Sequence, residues 1–169
     1  MKQEPFFIRD GNSILDRNGR IVSFRFVANP NEAKPQECVF FPIKWSDIEF
    51  EESSFNEELL ANLRTTFKSF EEKGVWLILQ PLWQEPLWAQ KETFSLIDKM
   101  THFIECTKHL TRRVKDCKSI IGIEAPAEVS TEAFQSDFFT GISKKHSHYL
   151  FFAKEVKTEN FLPLSVLKN

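Results

Sequence analysis

Three apolar runs separated by helical patterns restrict this chain more than any other feature. They are Val39-Phe40-Phe41-Pro42-Ile43-Lys44-Trp45, Val75-Trp76-Leu77-Ile78-Leu79-Gln80-Pro81-Leu82-Trp83 and Ile120-Ile121-Gly122-Ile123-Glu124-Ala125-Pro126-Ala127-Glu128. Strands that alternate with helices imply a parallel sheet, and such sheets carry functional residues at their C-terminal strand ends. A closed eight-stranded barrel usually takes about 200 residues or more. This chain has 169. The expected fold is therefore α/β, a partial barrel of about five parallel strands.

The remaining elements fit around that frame. Phe6 to Ile8 and Ser13 to Leu15, joined by Asp10-Gly11-Asn12, predict an N-terminal β-hairpin. Ile21–Val27 reads as the first core strand and residues 38–45 as the second. Leu59, Leu60, Leu63, Phe67 and Phe70 give a helix over 56–73, capped near Ser53, Ser54 or Asn56 and ended by Gly74. A third strand over 75–80 follows, then a loop over 81–88. Thr93 to about Val114 predicts a long helix with Leu96, Ile97, Met100, Phe103, Ile104, Thr107 and Leu110 inward. A strand over 119–124, a helix from Thr131 to about Lys144 and a strand over 149–153 complete the pattern. The chain is expected to be one domain: a hairpin cap over 1–20, βα units over 21–156 and an apolar tail over 157–169.

Composition narrows the function. A 41% hydrophobic and 27% charged chain is that of a globular protein, and a net charge of −2 gives no reason to expect nucleic acid or an anionic membrane. No apolar run approaches the roughly 20 residues of a membrane span. Met1-Lys2-Gln3-Glu4-Pro5 carries no apolar leader. Cys38, Cys106 and Cys117 are scattered and odd in number, which fits reduced thiols in a cytoplasm better than a disulfide framework. His102, His109, His146 and His148 lack metal-ligand spacing, and no phosphate loop or nucleophile elbow is present, so no metal or cofactor is expected. Arg112-Arg113-Val114-Lys115 reads as a solvated helix end. The 18 Phe suggest either a bulky core or a surface awaiting a partner.

The order of elements from about Phe7 to Phe152 resembles the N-terminal half of family 5 glycoside hydrolases, cellulase- and mannanase-like enzymes on TIM barrels. The opening hairpin resembles the ribbon that plugs the barrel floor. Trp45 falls at the family's second-strand tryptophan, and Gly122 and Glu124 fall on matching residues of its fourth strand. The resemblance puts Glu128 on the general acid/base glutamate. It also shows departures: Phe40 replaces an arginine, Leu82 a histidine, Ala127 the asparagine before the acid/base and Val129 the proline after it. The nucleophile lies on a seventh strand that this chain does not reach.

Glu128 is thus the candidate catalytic residue. Glu124 and Glu85 are the candidate neighbouring carboxylates. A fully extended chain sets Glu124 roughly 13 Å from Glu128, unless Pro126 bends it. Glycosidase carboxyl pairs lie about 5–5.5 Å apart in retaining enzymes and about 6.5–9.5 Å apart in inverting ones. Trp45, Trp83 and Trp88 are candidates to stack on sugar rings, with packing as the plain alternative; Trp76 reads as core. With the orienting residues replaced, the chain is expected to be a degenerate hydrolase relative without catalysis, serving as a carbohydrate-binding or assembly module. The alternative is an active hydrolase completed by a second chain. An open half-barrel leaves free edges and an apolar inner face, so a second copy or a complementary half-barrel chain is the expected partner. Alternatively, the tail folds over that face.

Overall fold

The computed structural model describes residues 6–167. The leaderless reading of Met1–Pro5 and the last two residues of the tail lie outside them. Phe7–Asp10 (β1) and Ser13–Asp16 (β2) form the antiparallel hairpin. The regular strand expected over Ile21–Val27 does not form. The segment's strand-type pairings are the isolated bridges Ile21 to Leu15 and Phe26 to Cys38. Val22, Phe24 and Phe26 keep a strand's alternation and face one apolar cluster. The two bridges go to different neighbours, so no continuous ladder forms, and the extended run stops where Asn29 caps a 3₁₀ turn at Pro30–Glu32.

Cys38–Lys44 (β3) runs directly into a four-residue helix, Trp45–Ile48 (α1), and a small ribbon of Glu49–Glu51 (β4) and Ser54–Phe55 (β5). Glu57–Lys73 (α2) starts where the Asn56 side chain accepts the Leu59 N–H at 3.0 Å. It ends at Gly74, whose φ of 74° is open to glycine at little cost. Trp76–Leu82 (β6) runs through Pro81, two residues beyond the expected strand.

Leu96–Arg113 (α3) opens on a capping box between Ser95 and Asp98. Leu96 and Ile97, expected inward, are 55% and 73% exposed. They share the stripe of Phe103 and Ile104, one heptad on, but its first turn stays open. Cys117 lies past the end of α3 and is buried. Ile120–Ala125 (β7), Glu132–Ser143 (α4) and Leu150–Ala153 (β8) follow. The tail then supplies a short strand, Leu162–Pro163 (β9), and a 3₁₀ turn at Leu164–Leu167.

The sheet order is β3-β6-β7-β8-β9, and every pair is parallel. This is an open partial barrel of five parallel strands with an N-terminal hairpin. Its fifth member is β9, not Ile21–Val27. One face packs on the helices: Val39, Leu77, Leu79 and Ile123 meet Phe67, Phe103 and Phe138. The other, inner face carries Cys38, Ile78, Ile121, Leu150 and Phe152. A parallel sheet is normally covered on both faces. Here those five residues are buried, under Ile14 and Phe24 from the N-terminal side and Leu167 from the tail, while Phe26, Phe40 and Trp76 around them stay part-exposed. Trp76, expected as core, is half-buried on this inner side, edge-on to Phe7 at 5.1 Å. Strand parity puts it there, opposite to Leu77.

The turn before β8 makes stability sensitive to acid. Buried His146 stacks on Tyr149, with ring centres 5.1 Å apart. Burial lowers its pKa from 6.5 to about 4, and the charges of His148, Lys115 and Arg112 add to the fall. The unfolded chain then binds more protons than the folded one between those values. The contribution of His146 is complete above pH 6.5 and is lost as pH falls toward about 4. Buried Glu49 and Glu124, whose pKa values are raised, act in the opposite sense over the acid range. The comparison with His146→Phe isolates the histidine. Urea unfolding at pH 7 and pH 4.5 is expected to show wild type losing about 2 kcal/mol more than the variant.

Candidate functional site at the strand tips

Because all five strands run the same way, the ends of β3, β6 and β7 lie on one side of the sheet. Strand parity then sorts the residues there. Cys38 and Phe40, like Ile78 and Gln80, face inward; Val39 and Ile43, like Leu77 and Leu79, face the helices. Trp45 and Trp83 continue the second set.

The three tryptophans do come together, but behind the sheet. Trp45 lies 5.1 Å from Trp83 and 6.0 Å from Trp88, ring centre to ring centre, and 5.5 Å from Phe103 of α3. It is 1% exposed. A sugar-stacking ring needs an open face, so packing is the role the structure gives Trp45. Trp83 is half-buried against Phe103 and Phe134, at 5.0 and 6.2 Å. Trp88 donates its indole N–H to the Glu49 carbonyl at 2.9 Å.

Glu49 is the residue that sequence reading missed. It is 1% exposed, and its carboxylate accepts from Trp45 Nε1 at 2.9 Å and from the Ser53 N–H at 2.8 Å. Burial raises its pKa against the lowering by those bonds and by His102, whose Nδ1 lies 3.9 Å away. Nothing in its local sequence, Asp-Ile-Glu-Phe-Glu, marks it out. It ties α1, the β4–β5 turn and α3 together behind the strand tips.

The inner side holds the carboxylates. Glu124 is buried near the end of β7, and its Oε2 accepts from Gln80 Nε2 at 2.7 Å. Burial raises the Glu124 pKa, the Gln80 bond opposes this, and the negative charge of Glu128 adds to the rise. Glu128 therefore stands within electrostatic reach of Glu124. Pro126 and the 3₁₀ turn Ala127–Val129 end the extended run between the two carboxylates. Glu128 itself is exposed on that turn. Glu85 does not join them; it is ion-paired with Lys99 of α3. Gln80, also missed, is legible from β6 parity. A cavity of about 490 Å³ opens beside it, lined by Phe24, Arg25, Phe26, Phe40, Leu164 and Leu167. Phe26 stacks on Phe40 at 5.1 Å and 19°. Apart from Arg25 and Gln80, the wall is aromatic and aliphatic where a sugar site needs donors and acceptors.

Among the described residues no group of three or more His, Cys, Asp or Glu is arranged to hold a metal ion, and no helix is long and apolar enough to cross a membrane.

Parallel βα units preceded by an antiparallel hairpin define the class as a partial α/β barrel. No family model matches the sequence, and no curated protein sequence matches it. Solved structures do. The chain is similar to an endogalactoceramidase at 12% identity and TM-score 0.70, over 98% of this chain and 58% of that one. It is similar to an exo-β-1,4-mannosidase from Opitutaceae bacterium strain TAV5 at 15% identity and TM-score 0.67, over 86% and 34%. It is also similar to endo-glycoceramidase II from Rhodococcus sp. at 11% identity and TM-score 0.67, over 82% and 51%. The chain thus spans 34% to 58% of the length of these structures. The likeness establishes the fold: part of a family 5-type hydrolase barrel.

Proposed function

We propose that this chain is a glycoside-hydrolase-like partial barrel without catalysis of its own, acting as an assembly module through its inner face. The observation that carries the reading is the composition of that face. Phe26, Phe40, Leu164 and Leu167 surround Gln80, the cavity's Arg25 is paired with Glu37 at 3.6 Å, and among the described residues no arginine, histidine or asparagine is bonded to Glu124 or Glu128 to orient a sugar. One lost transition-state donor typically costs 10²–10³ in rate, and here several are replaced. Burial of Trp45 also removes one sugar-stacking surface, which favours assembly over carbohydrate binding. The edge strands β3 and β9 and the part-covered inner face suit a second copy of the chain, with a complementary half-barrel chain as the other candidate.

One observation favours the alternative, an active hydrolase completed by another chain. Two carboxylates share the mouth, and Glu124 is the one driven toward its neutral form. Hydrolysis of aryl β-glucosides and β-mannosides tests both readings. The purified chain is expected to show no turnover above background. Turnover abolished by Glu128→Gln would overturn the non-catalytic reading and restore Glu128 as acid/base.

A further inference from the structure

A groove of about 700 Å³ runs between the N-terminal half of α2 and the C-terminal end of α3. It lies in the helix layer, apart from Glu124 and Glu128. Leu60 and Ala61 form its apolar floor, and four cations line it: Arg64, Arg112, Arg113 and Lys115. Its two carboxylates are already engaged. Glu57 takes Arg113 Nε at 3.0 Å on one oxygen and the His109 ring at 2.7 Å on the other. Asp116 takes Arg64 Nε at 3.1 Å on one oxygen, and Arg64 Nη2 again on the other. Lys68 Nζ adds to Asp116 Oδ2 at 3.8 Å.

Arg112 and Lys115 are left without a carboxylate among the described residues. Arg112 Nε makes only a long bond, 3.4 Å, to the Lys108 carbonyl. The groove therefore carries two uncompensated positive charges over an apolar floor. A cleft of one sign concentrates counter-ions, and a guanidinium fork matches the oxygens of a phosphate.

We propose that this groove binds a small phosphate-bearing ligand, held by Arg112 and Lys115 with its body over Leu60 and Ala61. Burial first, and then the positive charges of His148, Lys115 and Arg112, lower the pKa of His146. An anion at the two cations screens that repulsion. By linkage, His146 then takes up its proton at higher pH when the ligand is bound.

Calorimetry with inorganic phosphate and with a hexose phosphate, at constant ionic strength, tests the site. Saturable binding is expected, weakened about tenfold or more in the double variant Arg112→Gln, Lys115→Gln. Both side chains are exposed, so the variant is expected to fold. The His146 ring resonance, followed by NMR, is expected to titrate at higher pH with phosphate present in wild type and to stay put in the variant. Tighter binding of the hexose phosphate assigns the groove to an organic ester; equal binding assigns it to the free anion. No saturable binding of either probe, or binding unchanged in the variant, would overturn the proposal and leave these cations serving only the helix end.

Discussion

Trp45→Ala is expected to cost about 4 kcal/mol of folding stability. Removing a fully buried tryptophan leaves a cavity among Trp83, Trp88 and Phe103, and large aromatic truncations in cores cost about 3–5 kcal/mol. The change also takes away the indole N–H that Glu49 accepts at 2.9 Å, leaving a buried carboxylate short of a donor. Trp45→Phe separates the two effects, because it keeps much of the ring volume and loses only the donor. Urea unfolding measures both. A loss below about 1 kcal/mol for Trp45→Ala would mean the ring is exposed at the mouth, and the sugar-stacking role would return.

Gly122→Ala is expected to be nearly as damaging, at about 3 kcal/mol, although it adds one methyl group. A Cβ at position 122 meets the Leu150 carbonyl oxygen at 2.5 Å and Phe152 Cε2 at 2.9 Å. The first obstacle is backbone of the neighbouring strand, so no rotamer change relieves it, and overpacking of this kind costs about 1–3 kcal/mol or more. The substitution forces β7 and β8 apart at the pair Gly122–Leu150. Thermal unfolding is expected to shift down by about 10 °C. An unchanged midpoint would show that β7 and β8 are not in the register described.

Much of the fold was legible because the chain punctuates its elements clearly. Asn56 and Gly74 bracket α2, Ser95 and Asp98 open α3, and Thr131 opens α4. Ile21–Val27 misled because alternation reports which side faces apolar surroundings, not whether a partner strand lies alongside. The tail packs against the inner face, as the alternative reading has it, but its short strand β9 was not legible. Leu162–Pro163 is too short for any periodic signal, and its pairing with Phe152 and Ala153 depends on contacts distant in sequence.

The site divided along the same line. Trp45, Trp83 and Glu128 follow the ends of β3, β6 and β7, and parallel strands bring those ends to one side of the sheet. Parity in β3 and β6 already places Trp45 and Trp83 with Val39 and Leu77 on the helix side, while Glu124 bonds to inward-facing Gln80. Glu49 and Gln80 were silent for a different reason: a buried carboxylate or amide is defined by what surrounds it, and those neighbours come from other elements.

The inner face as an interface is tested most directly by light scattering of the purified chain at micromolar concentration. A mass above that of one chain is expected, falling to a single chain in the double variant Phe26→Asp, Phe40→Asp. A folded wild-type protein that stays monomeric across that range would contradict it.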